Sequence, residues 1–184
     1  PDRGQAYHSP MAFGNLALNY QKSIQYQVDV AMLRVTAMNK DGYFNLHCAC
    51  ASCRAIIEAS KKVVVEVNHR LPWAMGGADE LIHISEVDYI VEAESTVETI
   101  PAASPSDTDR KIAMHIVPLI RDGACLQLGI GGLRNLIGTM LVESDIKDLG
   151  CHSEMLADAY YHLYKAGKLT NRKKAVDKGK STFA

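Results

Sequence analysis

The sequence lacks several features that would place it in a specialised class of protein. It has no apolar run approaching the length of a membrane span, and no basic start followed by an apolar core. We therefore expect no membrane association and no signal peptide. A formal net charge of −1 gives no general reason to expect a nucleic-acid partner. The 184 residues are 47% hydrophobic and 22% charged, which is typical of a globular chain.

Cysteines are few and odd in number. The five are Cys48, Cys50, Cys53, Cys125 and Cys151. With no secretion signal, this count favours reduced thiols and a cytoplasmic setting. Cys50 and Cys53, with His47 nearby, could form part of a zinc site, but zinc usually needs a second, distant pair of ligands. Because no such pair follows, we expect structural thiols and no metal.

Both ends of the chain look internal to a longer sequence. The chain starts Pro-Asp-Arg-Gly and stops at Ser-Thr-Phe-Ala, so we expect a piece of a larger protein. Pro101–Asp107 carries two prolines and few large apolar residues, as linkers do. We therefore expect one domain part over 1–100, a linker over 101–107 and a second domain part over 108–184.

Strand and helix patterns alternate along the chain, which predicts an α/β fold with a largely parallel sheet. Asn39–Gly42 is expected to be a turn, 68–79 a loop and 82–91 extended. Asp107 or Thr108 is expected to cap the third helix, and Pro118 to kink or shorten it. The predicted strands are 26–38, 62–67, 124–128 and 147–151, and the predicted helices are 54–61, 108–121, 135–143 and 155–166.

A glycine-rich segment follows the predicted strand 124–128. It consists of Gly129, Ile130, Gly131, Gly132 and Leu133. Glycine lets a backbone approach a ligand closely, and free N–H groups at a helix start favour an anion. A tight turn that serves packing alone explains the same residues. The dinucleotide fingerprint is not met, because its third glycine position holds an arginine.

Two further features allow a functional and a structural interpretation. Glu154 follows the predicted strand 147–151 directly, where a carboxylate could act as a nucleophile or simply favour a helix start. The segment 165–180 holds seven Lys or Arg against one Asp. It could dock a phosphate group, or form the solvated face of a helix.

Taken together, these segments resemble the acetyl-CoA hydrolase/transferase family, and most closely its butyryl-CoA:acetate and 4-hydroxybutyrate CoA-transferases. The segments that carry the resemblance are Gln127–Leu133, Gly138–Leu141, Asp148–Met155, Ile82–Tyr89, Asp41–Asn45 and Gly167–Asn171. They occur in the family's order along nearly the whole chain. The resemblance implies two open-sheet α/β domains of the CoA-transferase type, of which this chain holds only part.

The resemblance also implies chemical roles. Glu154 would be the covalent nucleophile, and Gly129–Leu133 would bind the CoA thioester. Coenzyme A would be a substrate rather than a permanent cofactor, exchanged between a short-chain acyl-CoA and acetate by a homo-oligomeric enzyme. Hydrolysis of acyl-CoA, or CoA binding without catalysis, stays open as an alternative. Further CoA contacts are expected beyond Ala184, so transfer is expected of the longer protein.

One position departs from the family pattern. The family usually has proline after the glycine segment, whereas this chain has Arg134. Proline would fix φ at the helix start. We therefore expect Arg134 to loosen the turn and to add a charge near the thioester.

Overall fold

The computed structural model describes residues 4, 10–22, 27–48, 50–77, 79–97, 99–101 and 103–183. The chain divides into two compact units, Pro1–Glu98 (unit 1) and Thr99–Ala184 (unit 2). The division precedes the expected linker, and the assignment of the two parts to CoA-transferase domains stays a prediction. Every helix in the described ranges is too short or too polar to span a bilayer.

Unit 1 is built on a parallel sheet beside a short antiparallel pair. Its helices are α1 (Leu16–Lys22) and α2 (Cys53–Ala59), and its strands are β1 (Val28–Val35), β2 (Tyr43–Asn45), β3 (Ser60–Val67), β4 (Leu81–His83) and β5 (Tyr89–Glu92). The parallel order is β1-β3-β5, and β2 pairs with β4. Residue 26 of the predicted first strand lies outside the described residues. The predicted extended segment 82–91 is interrupted by a 3-10 turn at Ile84–Glu86.

Buried and exposed side chains alternate along the strands of unit 1, and the buried ones form its core. Val35 and Val65 are fully buried, whereas Met32 on the opposite face is exposed. On that face the Arg34 guanidinium donates to the Glu66 carboxylate at 2.9 Å. The parallel sheet therefore has one covered and one largely exposed face in unit 1.

The predicted turn at Asn39–Gly42 is confirmed. The Asn39 side-chain oxygen accepts from the Asp41 N–H at 3.0 Å and the Tyr43 N–H at 2.9 Å. Gly42 has φ +85°, and a Cβ there would lie 2.8 Å from the His83 ring. Glycine is needed at this position for both its conformation and the space it leaves.

Unit 2 has short parallel strands covered by longer helices. Its helices are α3 (Asp107–Ile116), α4 (Gly132–Glu143) and α5 (Asp158–Lys165), and its strands are β6 (Cys125–Leu126), β7 (Gly150–Ser153) and β8 (Thr182–Phe183). The parallel order is β6-β7-β8. Parallel strands between helices confirm the predicted α/β fold.

Several predicted boundaries in unit 2 need correction. Ser106, rather than Asp107 or Thr108, caps α3, because its side chain and that of Asp109 bond each other's backbone N–H. The helix ends at Ile116 and continues as a 3-10 turn containing Pro118, which confirms the predicted shortening. The predicted helix 135–143 begins three residues earlier, and the predicted helix 155–166 covers only 158–165.

Helices α4 and α5 pack closely through small residues. A Cβ added at Gly138 would clash with the Cβ of Ala159. The core around this contact includes Leu141, Leu149 and Leu163, all with no exposed surface. Gly167 follows α5 with φ +71°, which confirms its predicted role in ending the helix.

Candidate active site

The glycine segment forms the connection between β6 and α4. Gly131 has φ +122° and ψ 165°, a conformation that side chains rarely adopt. Helix α4 begins at the next residue with no side-chain cap, and its first backbone bond runs from the Asn135 N–H to the Gly131 carbonyl at 3.1 Å. The N–H groups at the start of α4 are thus available to a ligand.

Gly132 is required for a different reason. A Cβ at this position would lie 3.1 Å from the Ala103 carbonyl and 3.2 Å from the Ser104 carbonyl. The backbone before α3 therefore packs directly against the first turn of α4, in space that a side chain would take. This contact lies within unit 2 and fixes the start of the helix.

The backbone leading to the glycine segment is held by buried side chains. The Tyr160 hydroxyl accepts from the Leu128 N–H at 2.7 Å and donates to the Leu126 carbonyl at 2.9 Å. Ser153 donates its hydroxyl to the Leu128 carbonyl at 3.3 Å. Both backbone groups of Leu128 are therefore tied to side chains from α5 and β7.

Glu154 lies where the sequence predicts it, directly after a strand. The register pairs Leu126 with Cys151, so β6 and β7 end at the same edge of the sheet. Ser153 joins this edge to Leu128, the residue before Gly129, and Glu154 comes next with an exposed side chain. The two predicted functional segments thus meet at the carboxyl ends of neighbouring parallel strands, a frequent place for ligand sites.

Tyr160 is neutral at all physiological pH values. Burial raises the pKa of its phenol to about 12, and hydrogen bonds from Ser153 and the Leu128 backbone offset only part of that effect. The hydroxyl therefore keeps the proton that it donates to Leu126. Its role at this edge is to position the backbone.

Arg134 does not have the loosening role that its type suggests. Its Nη1 donates to the Ile130 carbonyl at 2.7 Å. A Cβ at Gly129 would lie 3.4 Å from the Arg134 Nε, and a Cβ at Gly131 would lie 3.2 Å from its Nη1. The guanidinium therefore lies across both glycines. The expectation of a looser turn is corrected, because this side chain ties one carbonyl of the turn to the first turn of α4.

Asn135, one residue later, has a buried amide oxygen with no hydrogen-bond partner among the described residues. Buried polar atoms normally have partners. The amide oxygen at the first turn of α4 is thus able to accept a hydrogen bond from an added group.

The basic segment 165–180 is largely committed to structure and is not helical beyond Lys165. Lys168 donates to the carbonyls of Ser144 and Ile146, which follow α4. Lys174 is buried and donates at 2.8 Å to the Cys151 and Lys180 carbonyls and to the Thr182 hydroxyl. The predicted helix is wrong, because Lys168 and Lys174 bond loop and strand backbone beyond the end of α5. Most other cations of the segment are exposed, as the prediction of a solvated face expects.

Two more cations of this segment pair with one carboxylate. Arg172 lies 2.5 Å and Lys173 3.4 Å from the Asp148 oxygens. Burial raises the pKa of the Asp148 carboxyl, but the hydrogen bond and charge of Arg172, aided by Lys173, lower it overall. Asp148 has φ +62°, so this ion pair also supports a left-handed backbone position.

The cysteine-rich segment belongs to unit 1, away from the candidate active site in the sequence. Burial raises the pKa of the Cys50 and Cys53 thiols, which favours inert thiols over thiolate ligands. Within the described ranges, no three His, Cys, Asp or Glu side chains form a group that could hold a metal ion. The expectation of no bound metal stays a prediction.

An apolar groove of about 250 Å³ lies along α5, close in sequence to Glu154. The groove is lined by Leu156, Ala157, Asp158, Tyr160, Tyr161, Tyr164, Leu169 and Ser181. Sequence reasoning missed the groove and the bonds of Tyr160. Three tyrosines within five residues of a helix that follows a candidate nucleophile were the available signal.

Fold and site together define an α/β protein that presents a glycine turn and a carboxylate at adjacent strand ends. The acetyl-CoA hydrolase/transferase N-terminal domain model matches residues 3–101. A butyryl-CoA:acetate CoA-transferase from Anaerostipes caccae is 42% identical over 183 residues, covering 98% of this chain and 41% of that protein. The chain therefore belongs to the acetyl-CoA hydrolase/transferase family.

Solved structures agree with this assignment. RipA from Yersinia pestis matches with a TM-score of 0.89 and 34% identity, over 99% of this chain and 42% of that one. A 4-hydroxybutyrate CoA-transferase from Porphyromonas gingivalis matches with a TM-score of 0.84 and 30% identity, over 98% and 45%. The chain thus spans about two fifths of the length of the proteins that it matches.

Proposed function

We propose that this chain carries the nucleophile and the thioester-binding turn of an acyl-CoA:carboxylate CoA-transferase. The observation that carries the proposal is the Ser153–Leu128 hydrogen bond, which joins the end of β7 before Glu154 to the end of β6 before Gly129. A carboxylate and a set of N–H donors at one sheet edge suit attack on a carbonyl. Family membership supports an acyl-CoA thioester as the carbonyl compound.

The proposed reaction begins when the Glu154 carboxylate attacks the thioester carbonyl. The C–S bond breaks, giving a mixed acyl-glutamyl anhydride and CoA thiolate. The thiolate then attacks the glutamyl carbonyl, forming a glutamyl-CoA thioester and releasing the first carboxylate. An incoming carboxylate reverses both steps and leaves as the new acyl-CoA. Each step exchanges one acyl bond for another of similar reactivity, so no ATP is needed.

The N–H groups around Gly131 and Gly132 are the proposed oxyanion donors. Each addition to a carbonyl places negative charge on its oxygen, and preorganised N–H groups stabilise that charge. Helix α4 adds the positive end of its dipole at the same point. Loss of one such donor typically costs about 10²–10³-fold in rate.

We propose a short-chain acyl-CoA such as butyryl-CoA as donor and acetate as acceptor, because the relative from Anaerostipes caccae carries those names. The tyrosine-lined groove along α5, whose first lining residue is Leu156, supports a site for an apolar acyl chain or pantetheine arm. A homo-oligomer containing this chain is part of the proposal. Hydrolysis is the second candidate, since the family includes hydrolases and the Glu154 side chain is open to water.

The test uses the full-length protein with butyryl-CoA, with and without acetate. Acetate-dependent formation of acetyl-CoA supports transfer, whereas CoA release without acetate supports hydrolysis. Glu154→Gln should lower the rate by at least about 10³-fold, as loss of a covalent nucleophile does. The matched control is Glu143→Gln, an exposed carboxylate at the end of α4, which should keep the wild-type rate.

Mass spectrometry identifies the intermediate directly. The protein is incubated with butyryl-CoA, quenched and digested. The peptide containing Glu154 should then carry CoA, or, after borohydride treatment, the reduced glutamyl side chain. A label on another carboxylate, or a fully active Glu154→Gln variant, overturns the proposed nucleophile. If the protein binds CoA but neither transfers nor hydrolyses it, the chain belongs to a CoA-binding protein without catalysis.

A further inference from the structure

The side chain of Arg134 is placed where it can control the direction of one peptide group in the glycine turn. Its Nη1 holds the Ile130 carbonyl at 2.7 Å, and the guanidinium lies across Gly129 and Gly131. Arg134 is solvent-exposed, and its guanidinium nevertheless makes this contact with the backbone of the turn. A long, flexible side chain has lost rotamer freedom to form it, and the bond joins the turn to the helix that follows.

The peptide geometry converts this contact into control of a donor. The Ile130 carbonyl and the Gly131 N–H belong to one trans peptide group, in which the two point in opposite directions. Holding the carbonyl toward Arg134 therefore aims the Gly131 N–H away from the guanidinium. Gly131 is also the residue with φ +122°, so its backbone would otherwise have the freedom that glycine confers.

We propose that Arg134 is a positioning residue that fixes the Ile130–Gly131 peptide so that the Gly131 N–H serves as an oxyanion donor. This proposal rests on the proposed function, which supplies the reaction in which the Gly131 N–H would stabilise the oxyanion. Arg134 supplies by a side-chain bond the rigidity that a proline at the start of α4 would supply through a fixed φ. In this chain Arg134 thus tightens the turn, and replacing it should loosen the turn.

The experiment compares Arg134→Met with Arg134→Lys and wild type in the full-length protein. Methionine keeps most of the length and removes every donor, whereas lysine keeps one donor on a shorter reach. The kcat for CoA transfer should fall about 10- to 10²-fold in Arg134→Met, as small misplacements of catalytic groups do, with KM for acyl-CoA little changed. Arg134→Lys should recover part of kcat. Arg121→Met, an exposed arginine of the same unit, should match wild type.

A second readout does not depend on activity. Amide hydrogen exchange of the peptide covering 129–134 should speed up in Arg134→Met and stay unchanged in Arg121→Met.

Chemical rescue gives a third readout, which does measure activity. Added guanidinium ion should raise the kcat of Arg134→Ala while leaving wild type unaffected.

The outcomes separate the two proposals. Unchanged exchange, or faster exchange with wild-type kcat, overturns the positioning role. A rise in KM at constant kcat also overturns it, because Arg134 would then bind CoA. If the wild-type protein transfers no CoA, the proposed function fails, and the donor role of Gly131 fails with it. Faster exchange in Arg134→Met would then support only the hold of Arg134 on the turn.

Discussion

The two units of this chain hold their strands together by different means. In unit 1, β1 and β3 are each eight residues long and share a continuous parallel ladder with a buried apolar face. In unit 2, β6 has two residues and β7 four, and the buried side chains of Tyr160 and Lys174 bond their carbonyls. Short strands provide few ladder bonds, so single residues must satisfy the remaining backbone groups.

The difference predicts where single substitutions matter. Ion pairs in unit 1, such as Lys61 with Asp29 at 2.6 Å, lie on the surface and contribute little. The side chains of Lys174 and Tyr160 in unit 2 are buried, so removing either donor leaves its acceptors unpaired and away from water. The comparison is tested by matched substitutions in the two units.

The largest effect is expected for Lys174→Met. Methionine fills similar space but leaves three acceptors, including the Cys151 carbonyl, without their donor. The free energy of unfolding measured in urea should fall by about 3 kcal/mol. Amide exchange should speed up in peptides covering 149–153 and not in those covering 60–67. Lys61→Met is the control and should change nothing measurable; an equal loss in both variants would end the comparison.

A smaller effect is expected for Tyr160→Phe. Loss of the hydroxyl leaves the Leu128 N–H and the Leu126 carbonyl buried and unpaired, which should cost about 2 kcal/mol. Tyr161→Phe is the control on the next residue, where the side chain is exposed. Thermal or urea unfolding of the two variants gives the measurement. Equal stability of both would show that water replaces the hydroxyl.

The smallest effect is expected for Asp148→Asn, which should change how stability depends on pH in the acid range. The pKa of Asp148 is lower in the folded chain than in the unfolded chain. The contribution of this carboxylate to the free energy of unfolding is therefore complete above the unfolded pKa of about 4. That contribution should disappear as the pH falls through the lower folded value. Urea midpoints between pH 6 and pH 3 should fall less steeply in Asp148→Asn than in wild type. An identical slope would mean that Arg172 and Lys173 do not stabilise this carboxylate.

The same comparison explains what the sequence could predict. Unit 1 has long strands with clear periodicity, and the prediction 62–67 lies inside the observed β3. In unit 2 the strands 124–128 and 147–151 were placed correctly but with shifted ends, because two to four residues carry too little pattern. Glu154 and the glycine turn were located by motif and resemblance. Their assignment as functional residues stays a prediction.

The site's supporting contacts could not be predicted in the same way. Tyr160 lies 32 residues after Leu128, and nothing in local periodicity links them. The identity of Arg134 suggested a loosened turn, because proline and arginine differ most obviously in backbone restriction. Only its side-chain direction shows that it bonds the Ile130 carbonyl.

The contact between Gly138 and Ala159 has a consequence for how such a site can change over evolutionary time. Helix α4 starts at the glycine turn, and α5 carries the tyrosine that holds the preceding strand. The separation of these helices is set where one has no side chain and the other a single methyl group. Adding volume at either position would push the helices apart and shift the turn relative to Glu154. The spacing between the glycine turn and Glu154 is therefore inherited through a pair of residues that lie in neither segment.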